Sequence, residues 1–116
     1  MTQIFNNSNL LEKALDVSSL RHQIISNNIA NVNTPEYQRK EVKFEKMLEG
    51  ALDAGADVNN VKPRVKTDLS EAFGRIDGNN VNLDKEMSDL ATNTIKYNAL
   101  IRQLSSKFQN MQTVLK

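Results

Sequence analysis

Few side chains in this sequence could do chemistry, and their spacing decides against most of it. His22 is the single histidine and there is no cysteine. A zinc site needs several nitrogen or sulfur ligands, so His22 has no companions for one. Thiol catalysis, thiolate metal centres and disulfides are excluded outright. The 14 acidic residues do not cluster at a metal-ligand or acid–base spacing. Asp84, Glu86 and Asp89 do fall together just after Asn82, but a helix start gathers negative charge there to offset its dipole. No nucleophile–histidine–acid arrangement and no glycine-rich phosphate loop stands out. No catalytic, cofactor-binding or metal-ligating residue is assigned, and no enzyme is expected.

Two other groups could bind a partner. Lys62, Arg64 and Lys66 alternate around Pro63 and Val65. On a strand they share one face, which either docks an acidic partner or is simply solvated. The second group is a run of amides in Ser26-Asn27-Asn28-Ile29-Ala30-Asn31-Val32-Asn33-Thr34-Pro35-Glu36-Tyr37. Four Asn at a helical end are costly by propensity. On a helix, Asn27, Asn28 and Asn31 form a polar patch beside Ile25, Ile29 and Val32. Their amides can hydrogen-bond a second backbone across a packed interface. They can equally be the cappers of a frayed last turn, and composition does not choose.

The elements that carry these groups follow from periodicity. Leu11, Leu15, Ser18, His22, Ile25, Ile29 and Val32 step by four and three, with Leu10, Ala14, Val17 and Ile24 in the next row. That predicts a helix over 8–33 with a broad apolar stripe, in which His22 is a boundary residue. Ser8 or Asn9 supplies its N-cap. Pro35 disfavours helical geometry at Thr34 and ends it. A second helix is predicted over 82–115, capped by Asn82. Leu83, Met87, Leu90, Thr94, Tyr97, Ile101, Leu104, Phe108, Met111 and Leu115 keep an unbroken four-three alternation, the narrow seam of a coiled coil. Between the helices, 36–80 reads as irregular and β. Short strands are expected around Val42 and Phe44 and around Val61 and Val65, and a turn at Asp77-Gly78. Residues from about Gly50 to Asn60 have little to pack.

The fold class is therefore mainly α, a single domain over 1–116, with two long terminal helices pairing as an antiparallel coiled coil around a short β and loop middle. Thirty-odd residues of isolated helix do not hold together in water, so the helices must pair with each other and with further copies. The 116 residues are 39% hydrophobic and only 5% aromatic, a lean supply for a self-sufficient core. A net charge of +1 gives no field to attract nucleic acid or an acidic membrane surface. No window offers the run of about 20 apolar residues that crosses a membrane, and the amino terminus lacks the pattern of a cleavable signal.

The amide-rich segment resembles a signature of the flagellar rod and hook proteins, the axial family. In that pattern a small residue precedes Asn-Asn-Ile/Leu-Ala-Asn, then a short spacer, Thr-Pro and an aromatic. The matching residues are Ser26, Asn27, Asn28, Ile29, Ala30, Asn31, Thr34, Pro35 and Tyr37. The family usually has Gly between the proline and the aromatic. Here it is Glu36, so a turn requiring positive φ is expected less at that position. Gly78-Asn79-Asn80-Val81-Asn82-Leu83-Asp84-Lys85-Glu86-Met87, Tyr97-Asn98-Ala99-Leu100-Ile101 and Leu104-Ser105-Ser106-Lys107-Phe108 are similar to the closing helix of the proximal-rod members.

The resemblance implies a structural, torque-bearing subunit of the flagellar basal-body rod. Such a subunit assembles into a periplasm-spanning drive shaft and leaves the cytoplasm through the flagellar type III export gate without a cleaved signal. Implied partners are copies of itself, other rod proteins, a small rod adaptor at the membrane ring and the export gate, with no nucleic acid, cofactor or direct membrane insertion. The implied assembly motif is Asn27, Asn28, Ile29, Ala30, Asn31, Thr34, Pro35 and Tyr37. The expected assembly seam is Leu11, Leu15, Ile25, Leu83, Met87, Leu90, Tyr97, Ile101, Leu104, Phe108 and Met111, with Leu11, Leu15, Ile25 and Ile29 facing Leu90, Tyr97, Ile101, Leu104 and Phe108.

Overall fold

The four-three apolar spacing produces two long helices laid side by side, shown by a computed structural model that describes residues 2–70 and 75–115. Helix α1 spans Thr2–Ala30 and helix α3 spans Leu83–Leu115; between them come strand β1 (Lys40–Lys43), helix α2 (Glu45–Asp53), a single 3-10 turn (Val58–Asn60) and strand β2 (Arg64–Thr67). Gly74, within the 36–80 stretch read as irregular and β, lies outside the described residues. The molecule measures 63 × 29 × 14 Å along its principal axes. Most of the long dimension is α3, whose 33 residues rise about 1.5 Å each. The terminal helices run antiparallel: Asn28 meets Glu86, and further along Ser18 meets Asn93.

Helix α1 starts at Thr2, well before the N-cap expected at Ser8 or Asn9. The polar run Asn6-Asn7-Ser8-Asn9 reads as a cap, yet extending an existing helix needs no new nucleus, so weak helix formers are carried along. The other end closes at Ala30, three residues before the stop expected at 33. Beyond Ala30 the last turn tightens, with Val32 N–H donating to Ile29 O at 3.2 Å and Thr34 N–H to Asn31 O at 3.0 Å.

The two strands pair antiparallel, Val42 opposite Val65 and Glu41 opposite Lys66. Val17, Val42, Phe44 and Val61 form the buried core, with Leu20, Ile24, Leu48 and Ala51 packed against it. The apolar core thus lies between α1 and the hairpin with α2. The segment expected to have little to pack, from about Gly50 to Asn60, takes in the last turn of α2. There Ala51 packs against the core, one turn beyond Leu48 on the same side of the helix. Arg64, Val65, Lys66 and Thr67 are all exposed, and Lys62, just before the strand, is exposed as well.

Candidate functional site

The carboxy-terminal end of α1 leaves backbone carbonyls without intrahelical partners. A segment far along the chain supplies their donors. Asn79, with no exposed surface, donates through Nδ2 to the carbonyls of Asn31 (2.8 Å), Val32 (3.1 Å) and Thr34 (2.9 Å). Its Oδ1 accepts from Val81 N–H at 2.7 Å. Arg75 Nη2 adds a bond to Val32 O at 2.6 Å. The same two stretches meet where Glu36 N–H donates to Asp77 O at 2.7 Å. Glu36 adopts φ +64°, which corrects the expectation that a residue other than Gly disfavours positive φ there. The hydrogen bond to Asp77 and the close approach of Gly78, itself at φ +76°, hold Glu36 in the left-handed region against its preference.

Asn28 is the hub of the next layer, and it too has no exposed surface. Its Oδ1 accepts from Lys40 N–H at 3.0 Å and from Tyr37 Oη–H at 3.1 Å. Its Nδ2 donates to Lys40 O at 2.8 Å and to Glu86 Oε2 at 3.2 Å. One amide therefore fastens α1 to the first residue of β1 and to α3. The amide can do this because it offers both donors and acceptors, which a carboxylate or an ammonium does not.

Glu86 continues the network. Its Oε1 accepts from Arg39 Nε at 2.6 Å. Arg39 Nη1 reaches Asp68 Oδ2 at 2.9 Å and Glu41 Oε2 at 3.4 Å. The Arg39 backbone N–H donates to Asn80 Oδ1 at 2.6 Å, and Asn80 Nδ2 donates to the carbonyls of Asp68 (2.8 Å) and Ser70 (3.0 Å). Glu86 thus has a different role from the dipole-compensating one expected: it is buried and paired with a cation. Burial by itself would lower the Arg39 pKa, but hydrogen bonds to Glu86 and Asp68 outweigh it and hold the guanidinium above its ordinary value. Asp68 is held down to about 2, chiefly by the Ser70 backbone N–H and then by Arg39. Burial, with Glu86 nearby, raises the Tyr37 phenol.

The amide-rich motif is split by the structure. Asn28 is buried; Ile29, Asn31 and Tyr37 are half-buried; Asn27, Ala30, Thr34 and Pro35 are exposed. Asn31 Nδ2 donates to Asn27 O at 2.8 Å, and Asn31 Oδ1 accepts from Thr34 Oγ1–H at 3.1 Å, which shapes the turn. The seam is split as well. Ile25 is buried and Leu11, Leu15, Leu90, Leu104 and Met111 are half-buried, whereas Leu83, Met87, Tyr97, Ile101 and Phe108 are exposed. Sequence reasoning missed Arg39, Asp68, Arg75, Asn79 and Asn80. The sequence carried no signal for them, because the burial of Glu86, whose carboxylate demands a cation, is seen only in the structure.

This network holds and orients the elements it joins. His22 is exposed, and among the described residues no cluster of His, Cys, Asp and Glu could hold a metal ion. Among them, too, no helix is long and apolar enough to cross a membrane.

A family model described as "Flagella basal body rod protein" matches residues 10–38, a stretch that contains Asn28 and Tyr37. The chain is 36% identical over 115 residues to "Flagellar basal body rod protein FlgB" of Bacillus subtilis (strain 168), covering 90% of this chain and 89% of the relative. The chain belongs to the FlgB family. Its likeness extends to the proteins so named from Borrelia hermsii, 35% identical over 92% of this chain and 93% of the relative, and from Escherichia coli (strain K12), 25% identical over 90% and 88%. In this FlgB-family chain, then, the matched stretch runs along α1 and stops at Gln38, directly before Arg39 and the ion-pair network.

Proposed function

We propose that this FlgB-family chain is a structural subunit of the flagellar basal-body rod, and that its work is mechanical rather than catalytic. One observation carries the reading. The most regular apolar row in the sequence is not used up inside the subunit: Met87, Ile101 and Phe108 on α3 are 56%, 39% and 47% exposed. A row of that length on a helix is a surface for other helices. Copies of this chain and other rod proteins take it, and contacts between unlike surfaces build an open-ended stack.

The polar network supports the mechanical part. It joins α1, α3 and the hairpin into one body, so a twist applied to the helices is passed on rather than absorbed at a hinge. In this reading the stack spans the periplasm and transmits torque. Its base meets a small rod adaptor at the membrane ring and the type III export gate, through which the subunit passes without a cleaved signal. The exposed Asn27, Thr34 and Pro35 lie at the end of α1 where a neighbour would approach.

The test is a strain lacking this chain. Loss of swimming, with purified basal bodies that end at the membrane ring, is the expected result. Normal swimming with complete basal bodies would overturn it and favour a helical adaptor for some cytoplasmic partner.

A further inference from the structure

Helix α3 offers two rows that could face α1. They share Leu90, Tyr97, Leu104 and Met111. At the alternate places one row has Glu86, Asn93, Leu100 and Lys107, and the other has Met87, Thr94, Ile101 and Phe108. A turn of α3 by about 50° about its axis exchanges them. Hydrophobic burial favours the second row, which is the more apolar. The structure adopts the first. Glu86 and Asn93 are buried at 0% and 4% exposure, while Met87 and Phe108 stay 56% and 47% exposed.

Something other than apolar burial therefore sets the rotation of α3. At the hairpin end Arg39 and Asn28 hold Glu86. Further along, the setting falls to one pair. Ser18 Oγ donates to Asn93 Oδ1 at 3.0 Å, and Asn93 Nδ2 donates back to Ser18 O at 2.8 Å. Both residues are 4% exposed. Beyond Asn93, among the described residues, no hydrogen bond joins α3 to α1. In the turned setting Thr94 would face Ser18, but its hydroxyl already donates to Leu90 O at 2.9 Å, and a hydroxyl cannot reproduce the two-way amide contact.

We infer that the Ser18–Asn93 pair is a rotation pin: it holds α3 in the setting that keeps its more apolar row outward and free for a neighbouring subunit. A lone buried amide in a helical seam fixes alignment at some expense of stability. The inference rests on the proposed rod function only for the use of the outward row. The pin itself is a property of the single chain.

The chain has no cysteine, so introduced pairs are its only thiols. Leu11 lies two turns before Ser18 and Leu100 two turns after Asn93, so the antiparallel pairing sets Leu11 level with Leu100 in the observed row and with Ile101 in the other. Leu11→Cys with Leu100→Cys reports the observed setting, and Leu11→Cys with Ile101→Cys reports the turned one. Because disulfides form only over a narrow Cβ separation, the first pair should oxidise at least about tenfold faster than the second. In the Ser18→Ala, Asn93→Ala background that preference should fall by about the same factor, with the helical circular dichroism retained. Exchanging the partners, Ser18→Asn with Asn93→Ser, should restore it. An unchanged preference in the alanine background overturns the pin. So does loss of helicity there, because the pair would then hold the fold together rather than choose its setting. If the preference falls and the alanine strain still swims normally, the pin stands and the use of the outward row is what fails.

Discussion

Arg39 Nε donates to Glu86 Oε1 across 2.6 Å, and no part of Glu86 reaches solvent. This pair joins the start of the hairpin to the first turn of α3. A buried ion pair holds together only while both partners remain and their other hydrogen-bonding groups are satisfied. Here Asp68 and Glu41 complete the coordination of Arg39, and Asn28 satisfies the second oxygen of Glu86. Glu86→Ala removes one charge and leaves Arg39 buried beside weaker partners. The expected loss is about 3–5 kcal/mol, read as a lowered urea midpoint with the slope retained.

Asn28→Ala strips both backbone groups of Lys40 of their partner and frees Tyr37 Oη and Glu86 Oε2. Unsatisfied buried groups cost about 1–3 kcal/mol each, so the fold should lose at least that much, and the Lys40 amide should exchange with solvent far faster. Asn27→Ala, one residue earlier but exposed, should change stability by less than about 0.5 kcal/mol. Swimming lost in Asn27→Ala with stability intact would place Asn27 at a contact between subunits.

Acid should weaken the network through Asp68. Its carboxyl is depressed to about 2 in the folded chain, against about 4 when unfolded. A depressed acid contributes stability that is complete above the unfolded value and is lost as pH falls through the folded one. Stability should therefore decline between about pH 4 and about pH 2. Asp68→Asn should lower stability at neutral pH and flatten that decline, as followed by urea titrations at a series of pH values. An equally steep acid slope in the variant would assign the effect to other carboxylates.

Glu36 sits at φ +64°, where an L-residue is strained by about 1–2 kcal/mol. Glu36→Gly relieves the strain but loosens the unfolded chain. A net gain of about 0.5–1 kcal/mol is expected, seen as a melting temperature a few degrees higher. Gly78→Ala should act the other way, since Gly78 has φ +76° and the new Cβ has room but not the conformation.

The outward row is tested where it is exposed. Phe108→Asp and Ile101→Asp should leave the far-ultraviolet circular dichroism of the chain unchanged and abolish swimming. Leu104→Asp should also abolish it, but with reduced stability, because Leu104 is half-buried and belongs to both rows of α3. Full motility in all three strains would remove the row from rod assembly.

The sequence by itself determined the two terminal helices, their antiparallel pairing and the short β middle. Period and punctuation decide these: an unbroken four-three alternation from Leu83 to Leu115, the stop at Pro35 and the alternation around Val42 and Val65. It also determined the family, through Asn27-Asn28-Ile29-Ala30-Asn31 and Thr34-Pro35. Only the tertiary structure decided which polar residues go inside. Asn28, Asn79, Asn93 and Glu86 are ordinary surface residues by type, and they are buried because partners from distant stretches converge on them: Lys40 and Tyr37, the carbonyls ending α1, Ser18 and Arg39. Apolar burial depends on what a residue is and follows a helical period, so it is written locally. Polar burial depends on what else arrives within hydrogen-bonding reach, and no spacing along one strand of sequence records that.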